Sequence, residues 1–173
     1  MRIALTGTPG TGKTTVAGLL PWRKVDINLL VKGGLNLGRD QLRGCLEADM
    51  DGLAERLTLL EAEQAWPEGE PVILEGHFSH HFADRAIVLR LDPADLGPRL
   101  ESRGYSEAKI RENLEAEALD VILVEAVEHC RQVDEIDTTA KSPEEVAALV
   151  GQIISEGLSL PPGQVDWLNA FFG

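Results

Sequence analysis

The stretch Gly7-Thr8-Pro9-Gly10-Thr11-Gly12-Lys13-Thr14 limits what this chain can fold into more than any other. It fits G-x-x-x-x-G-K-[ST], a phosphate-binding loop that works only between a strand and a helix. Each position has a mechanical role. The glycines let the backbone turn tightly and come close to a polyphosphate with no Cβ in the way. Successive N–H groups then face one concavity that suits an anion. Lys13 brings a point charge to the terminal phosphates, and the Thr14 hydroxyl is an oxygen ligand of the kind Mg²⁺ takes. The flanks agree with the motif. Arg2-Ile3-Ala4-Leu5-Thr6 reads as a short apolar strand, and Thr14 to Leu20 as a helix whose positive dipole end faces the same phosphates.

Downstream, short apolar strands alternate with helices. Strands are predicted at Lys24 to Ile27, Val72 to Glu75, Ala86 to Leu91 and Val133 to Asp137. Leu53, Leu57 and Leu60 recur at helical spacing in a helix from Asp51 to Ala65. A second helix is expected from Asp95 to Arg103, with Pro98 in its first turn, where proline is tolerated. Ser106 caps a long helix to Cys130, and Ser142-Pro143-Glu144-Glu145 opens another to Glu156. This alternation predicts an α/β fold of the P-loop NTPase type: a mainly parallel five-stranded sheet flanked by helices in one domain over 1–173. Ligands of such sheets bind beyond the carboxyl ends of the strands. Gly33 to Gly44 lacks periodicity. The tail, 157–173, carries Pro161-Pro162 and then Trp167, Phe171 and Phe172, which are expected to pack back on the body.

The chain has 173 residues and a formal net charge of −13. An acidic surface disfavours generic nucleic-acid binding and favours a basic protein partner. No apolar run approaches the roughly 18 residues of a membrane span. Met1-Arg2-Ile3 leads straight into the first strand, which leaves no room for a signal peptide, so a cytoplasmic location is expected. Cys45 and Cys130 belong to no C-x-x-C and are read as buried thiols. They do not combine with His77, His80 and His81 at zinc spacing.

Further chemistry is written after the loop. Val72-Ile73-Leu74-Glu75 is an apolar strand ending in an acid, the form that orients Mg²⁺. His77 shares a face with Glu75 in an extended segment and is placed to orient a water or touch a phosphate. Arg99, Arg103 and Arg111 bracket Gly104-Tyr105. Phosphoryl transfer needs cations over the migrating group, and a glycine-punctuated cluster between helices suits a lid.

Four segments now occur in order: G-T-P-G-T-G-K-T-T at Gly7 to Thr15, E-G-H at Glu75 to His77, R-G-Y-S-E-A-K-I-R-E-N at Arg103 to Asn113, and I-D-T-T-A-K-S-P-E-E-V at Ile136 to Val146. Together they resemble the archaeal and nuclear adenylate kinase family, also called the CINAP type. The resemblance implies a Mg²⁺-dependent nucleoside monophosphate kinase that uses ATP on AMP or a related monophosphate. It also implies ATPase activity and a link to small ribosomal subunit maturation through a basic ribosomal protein. By position, Gly10, Gly12, Lys13, Thr14 and Thr15 match the triphosphate cradle, Arg103 the lid arginine and Lys141 a position near the adenine. The segment about 28–51 corresponds to the monophosphate-binding region and 103–113 to the lid. Glu75-Gly76-His77 stands for the family's D-x-H, and Lys32 stands where relatives tend to have arginine. The alternatives are a ribosome-assembly ATPase with little kinase activity and another small-molecule P-loop kinase. A GTPase is disfavoured because no N-K-x-D motif occurs.

Overall fold

The computed structural model describes residues 1–40, 46–63, 66 and 69–172, leaving aside the side chains of Ala170 and Phe172. The chain opens with β1 (Arg2–Thr6), passes through the phosphate loop and enters α1 (Lys13–Leu19). Then follow β2 (Arg23–Asp26), α2 (Ile27–Lys32), the antiparallel pair β3 (Asn36–Arg39) and β4 (Leu46–Ala48), and α3 (Met50–Glu63). β5 (Val72–Glu75) leads through a 3-10 turn (Ser79–Phe82) to β6 (Arg85–Arg90). The remainder is α4 (Pro93–Ser102), α5 (Glu107–Ala118), α6 (Val121–His129), β7 (Gln132–Asp137), α7 (Pro143–Ser155) and α8 (Leu168–Phe172).

The main sheet has the order β2-β5-β1-β6-β7 with every pairing parallel, as the strand–helix alternation predicts. Alternation along the strands gives each face its own core. Ile3, Leu5, Ile73, Ile87 and Leu89 pack against Val16 of α1 and Val146, Val150 and Ile153 of α7. On the other face, Ala4, Ala86 and Val88 meet Leu123 and Ala126 of α6. Val72 and Leu74 meet Ile27, Val31, Leu53 and Leu57 of α2 and α3. The phosphate loop and Glu75 both lie at carboxyl ends of central strands, side by side in the β1–β5 register.

Several local expectations are corrected. The second strand ends at Asp26; Ile27 begins α2, because the Asp26 carboxylate accepts from Leu29 N at 3.0 Å and caps a helix there. Pro98 stands inside α4 and not in its first turn, since the helix starts earlier, with Asp92 as cap and Pro93 at N1. The aperiodic Gly33 to Gly44 stretch contains β3; Gly44 and Cys45 lie outside the described residues, as do Ala65 and Pro67. The tail returns to the body: α8 lies against α5, and Trp167 and Phe171 are half-buried. Cys130 is a buried thiol, pushed up to about 11 by burial and then by Asp84.

The long helix expected from Ser106 to Cys130 is two helices. The chain breaks at Leu119-Asp120, where Asp120 takes a left-handed φ of 57°, a conformation that aspartate visits more readily than most residues. Arg90, only 2% exposed, holds the break. Its Nη2 donates to the Glu117 carbonyl at 2.9 Å, one of the orphan acceptors at the end of α5. The same nitrogen pairs with the Asp120 carboxylate. Nε donates to Glu117 Oε1 at 2.8 Å and Nη1 to Glu135 Oε1 at 2.7 Å. Removing Arg90 strands two buried carboxylates. Arg90→Met is therefore expected to lower the unfolding free energy by about 3–5 kcal/mol. The urea midpoint measures this, and Arg90→Met/Glu117→Gln should recover part of the loss. A single variant with the parent's midpoint would show that the cluster contributes no net stability.

Candidate active site

The phosphate loop is built from backbone that only glycine supplies at two points. Gly7 has φ +136°, and a Cβ there would fall 2.3 Å from the Leu89 carbonyl oxygen. Gly12 has φ +99° with open space where a Cβ would stand, so bare backbone faces the adjoining cavity. Internal bonds fix the rest. Thr11 Oγ1 donates to the Thr8 carbonyl at 3.0 Å. The buried Thr8 hydroxyl donates to Glu117 of α5, which ties the loop to the Arg90 cluster. Lys13 Nζ reaches back over the loop to the carbonyls of Gly7 at 2.7 Å and Thr8 at 3.0 Å.

This lysine is 6% exposed. Burial lowers its pKa to about 8; Glu75 and Glu117 pull it back up, and Arg103 pushes it further down. Glu75 moves the other way. Burial raises its carboxyl and the neighbouring Asp26 raises it further, while the Thr14 hydroxyl and Lys13 oppose both. Asp26 is the direct register partner of Glu75 across β2 and β5. Thr14 Oγ1 donates to Glu75 Oε1 at 3.0 Å. A hydroxyl and a desolvated carboxylate at this separation, beside a second acid, form an all-oxygen set of the kind that suits Mg²⁺. The bare Gly12 backbone and the buried ammonium likewise suit a polyphosphate. His77 is half-buried, and its pKa is lowered to about 4, first by burial and then by Lys13 and Lys109. At neutral pH it is an uncharged imidazole, able to hold a water by a hydrogen bond but not to compete as a cation.

One cavity of about 670 Å³ joins these groups. Gly10, Gly12, Lys13, Thr14 and Thr15 line it. Glu75 and His77 also line it, as do Asn28 and Lys32 of α2 and Arg39 of β3. The corner between α4 and α5 adds Arg103, Tyr105 and Lys109. Of the three arginines around Gly104, Arg103 alone lines this cavity; Arg111 points outward, paired with Glu115 at 2.8 Å. Lys141 stands exposed in the turn after β7 and does not line the cavity. The sequence reading missed Asp26, Lys109, Tyr105 and Glu117. For Tyr105 and Lys109 a signal existed. Counted from the Ser106 cap, Tyr105, Lys109, Asn113 and Ala116 recur at helical spacing and share the cavity-facing stripe. Asp26 and Glu117 have no such mark, since only the sheet register and the Arg90 cluster bring them to the loop.

Comparisons with known proteins agree with this arrangement. The family described as "AAA domain" matches residues 3–120. A protein of Methanosarcina barkeri named "Putative adenylate kinase" is 47% identical over 98% of each chain. One of the same name from Methanothermobacter thermautotrophicus is 45% identical over 99% of each. Among solved structures, shikimate kinase from Acinetobacter baumannii shares the fold at 17% identity, with a TM-score of 0.56 over 90% of this chain and 93% of that one. Thymidylate kinase from Candida albicans does so at 13% identity, with a TM-score of 0.52 over 90% and 91%. The phosphate loop, the parallel sheet and full-length identity to these archaeal proteins lead to one placement: the chain belongs to the adenylate kinase family they represent, within the P-loop AAA-domain group.

Proposed function

We propose that the protein transfers the γ-phosphoryl group of ATP to AMP or a related nucleoside monophosphate, and that it also hydrolyses ATP, in the cytoplasm. The observation that carries this reading is the gathering of cations from three parts of the fold around one cavity: Lys13 in the loop, Arg103 and Lys109 at the α4–α5 corner, and Lys32 and Arg39 from α2 and β3. Two phosphorylated ligands meeting end to end need cations at both ends and between them. The name shared by the archaeal relatives supports adenosine nucleotides as the pair.

In this reading Gly10, Gly12, Lys13, Thr14 and Thr15 hold the triphosphate, and Thr14 and Glu75 hold Mg²⁺, which supplies charge neutralisation between the phosphates when bound. Lys32, within the 28–51 segment, takes the monophosphate as a point charge and not as a bidentate fork. Arg103 and the rest of 103–113 close over the transferring group, and Lys141 comes near the adenine only if that closure extends the site. The protein's contribution is positioning and charge stabilisation, with no covalent intermediate. Turnover of ATP measured with and without each monophosphate, following ADP and the diphosphate product separately, tests it. Diphosphate should appear with at least one monophosphate, and Lys13→Ala, still folded, should be silent. ATP consumption indifferent to every monophosphate would leave a plain ATPase.

His77 is proposed to orient the attacking water in hydrolysis. The AMP phosphate needs no such help when held by its own cations. His77→Ala is therefore expected to lose more of the ATPase rate than of the transfer rate at saturating substrates. Equal losses in both would assign it to phosphate contact alone.

The charge of −13 favours a second, compatible reading: recognition of a basic small-subunit ribosomal protein during subunit maturation. Exposed Val121, Val124 and Val127 along α6 add apolar area for such a contact. Long-range attraction between opposite charges makes association fast and salt-sensitive. Pull-down from the host's own ribosomal proteins at host ionic strength should recover a basic small-subunit protein. Recovery of none, beside robust AMP phosphorylation, would leave a metabolic kinase.

A further inference from the structure

The 3-10 turn after β5 and the end of α6 bring three imidazoles and a carboxylate together away from the nucleotide cavity. His80 and His81 come from the turn, and Glu125 and His129 stand one helical turn apart on α6. None of the four lines the cavity that holds Lys13 and Glu75. One ligand atom from each of His80, His81 and Glu125 lies within 4.8 Å of the other two. His81 and His129 stack edge to face, with ring centroids 4.3 Å apart.

His80 is the informative member. It is fully buried, and its Nε2 has no hydrogen-bond partner although it lies 3.4 Å from Glu125 Oε2. A buried polar nitrogen left unmatched is costly. Its other nitrogen, Nδ1, lies 3.2 Å from Thr6 Oγ1. When Nδ1–H donates to that hydroxyl, the Nε2 lone pair points at Glu125, the arrangement in which a second-shell acceptor fixes the tautomer of a metal-binding histidine. The 3.4 Å gap has a plain metric reading. Two ligands each about 2.1 Å from a tetrahedral zinc ion stand about 3.4 Å apart. His129 Nδ1 donates to the Glu125 carbonyl at 2.8 Å, which holds its ring beside the cluster. His81 and His129 are exposed, which gives an ion a path in from solvent.

We propose that His80, His81 and Glu125 bind a zinc-class divalent cation at a site separate from the nucleotide's Mg²⁺, with the remaining coordination left to solvent. Imidazole-rich sets select zinc and its first-row neighbours, whereas Mg²⁺ takes oxygen. The ion's role is structural. It would pin α6 to the segment that follows Glu75 and His77, and through Thr6 it would brace the residue just before Gly7. Sequence spacing hides this site because Glu125 belongs to a helix far downstream of the His80-His81 pair.

The test uses the full chain, stripped with a chelator and then titrated with Zn²⁺ against a chromophoric competitor, and with Co²⁺ by visible absorption. His81→Ala and Glu125→Gln change residues with solvent access, so the fold should survive; circular dichroism checks this. Glu75→Gln is the control for the Mg²⁺ position. The parent chain and Glu75→Gln should each bind one tight equivalent of Zn²⁺, show tetrahedral Co²⁺ bands and melt at a higher temperature with zinc. His81→Ala and Glu125→Gln should bind at least about tenfold more weakly, since even outer-shell losses at such sites cost about 10–100-fold. Three results would overturn the proposal: no zinc binding by the parent, equal affinity in all four chains, or zinc binding lost in Glu75→Gln and kept in His81→Ala.

Discussion

Arg90 is the point on which three parts of the molecule converge directly and two more at one remove. Its guanidinium reaches the end of α5 through Glu117, the helix break through Asp120 and the last strand through Glu135. Glu117 passes the connection to the phosphate loop by accepting from Thr8, and its other oxygen accepts from Leu91 N at 3.1 Å. Glu135 passes it to the tail, where Oε2 accepts from Gly163 N at 2.8 Å and Gln164 N at 2.9 Å. Such a cluster is stable only as a set, because any one member left alone is a desolvated charge. The loop conformation, the α5–α6 corner and the course of the tail are thus parts of one electrostatic solution.

The candidate active site uses the same physics with the opposite balance. Around Arg90 each buried charge has its partners. At the loop, Lys13 is answered mainly by backbone carbonyls, and Glu75 faces Asp26, a group of its own sign. Desolvation is the first cause of both shifts: it lowers the ammonium against the pull of Glu75 and Glu117, and it raises the carboxyl together with Asp26. A polyphosphate with its metal would supply both missing counter-charges at once, which turns the cost of that burial into affinity for one kind of ligand.

What the sequence made legible follows from how local each signal is. The loop motif, the apolar strands and the caps at Ser106 and Ser142 are contiguous, and from them the five-stranded parallel sheet and the loop residues that line the cavity can be read. The break at Asp120 was not legible, because 107–129 is a plausible continuous helix and only Arg90, on a distant strand, makes the kink favourable. The end of β2 at Asp26 was missed for a similar reason: Val25-Asp26-Ile27 suits a strand until the Asp26 carboxylate caps α2. Arg103 and Arg111 look alike in one dimension. Three-dimensional packing of α4 on α5 through Leu96, Leu100, Tyr105 and Ile110 sends one to the cavity and the other to solvent.

The strand order also carries a consequence for how the chain comes into being on the ribosome. β1, made before the other strands of the sheet, ends up at its centre, with Ile3 held between Ile73 and Arg85. Until translation has passed Arg90, this apolar segment has no neighbour on one edge, and the phosphate loop that follows it lacks Leu89 to pack on and Glu117 to bond. Glu135 must wait longer still, for Gly163 and Gln164 near the other end of the chain. Pairings so distant along the chain form slowly. Folding cannot finish in the order of synthesis: β1 keeps an open edge until β6 has been made, and the loop after it stays incomplete until Glu117 follows.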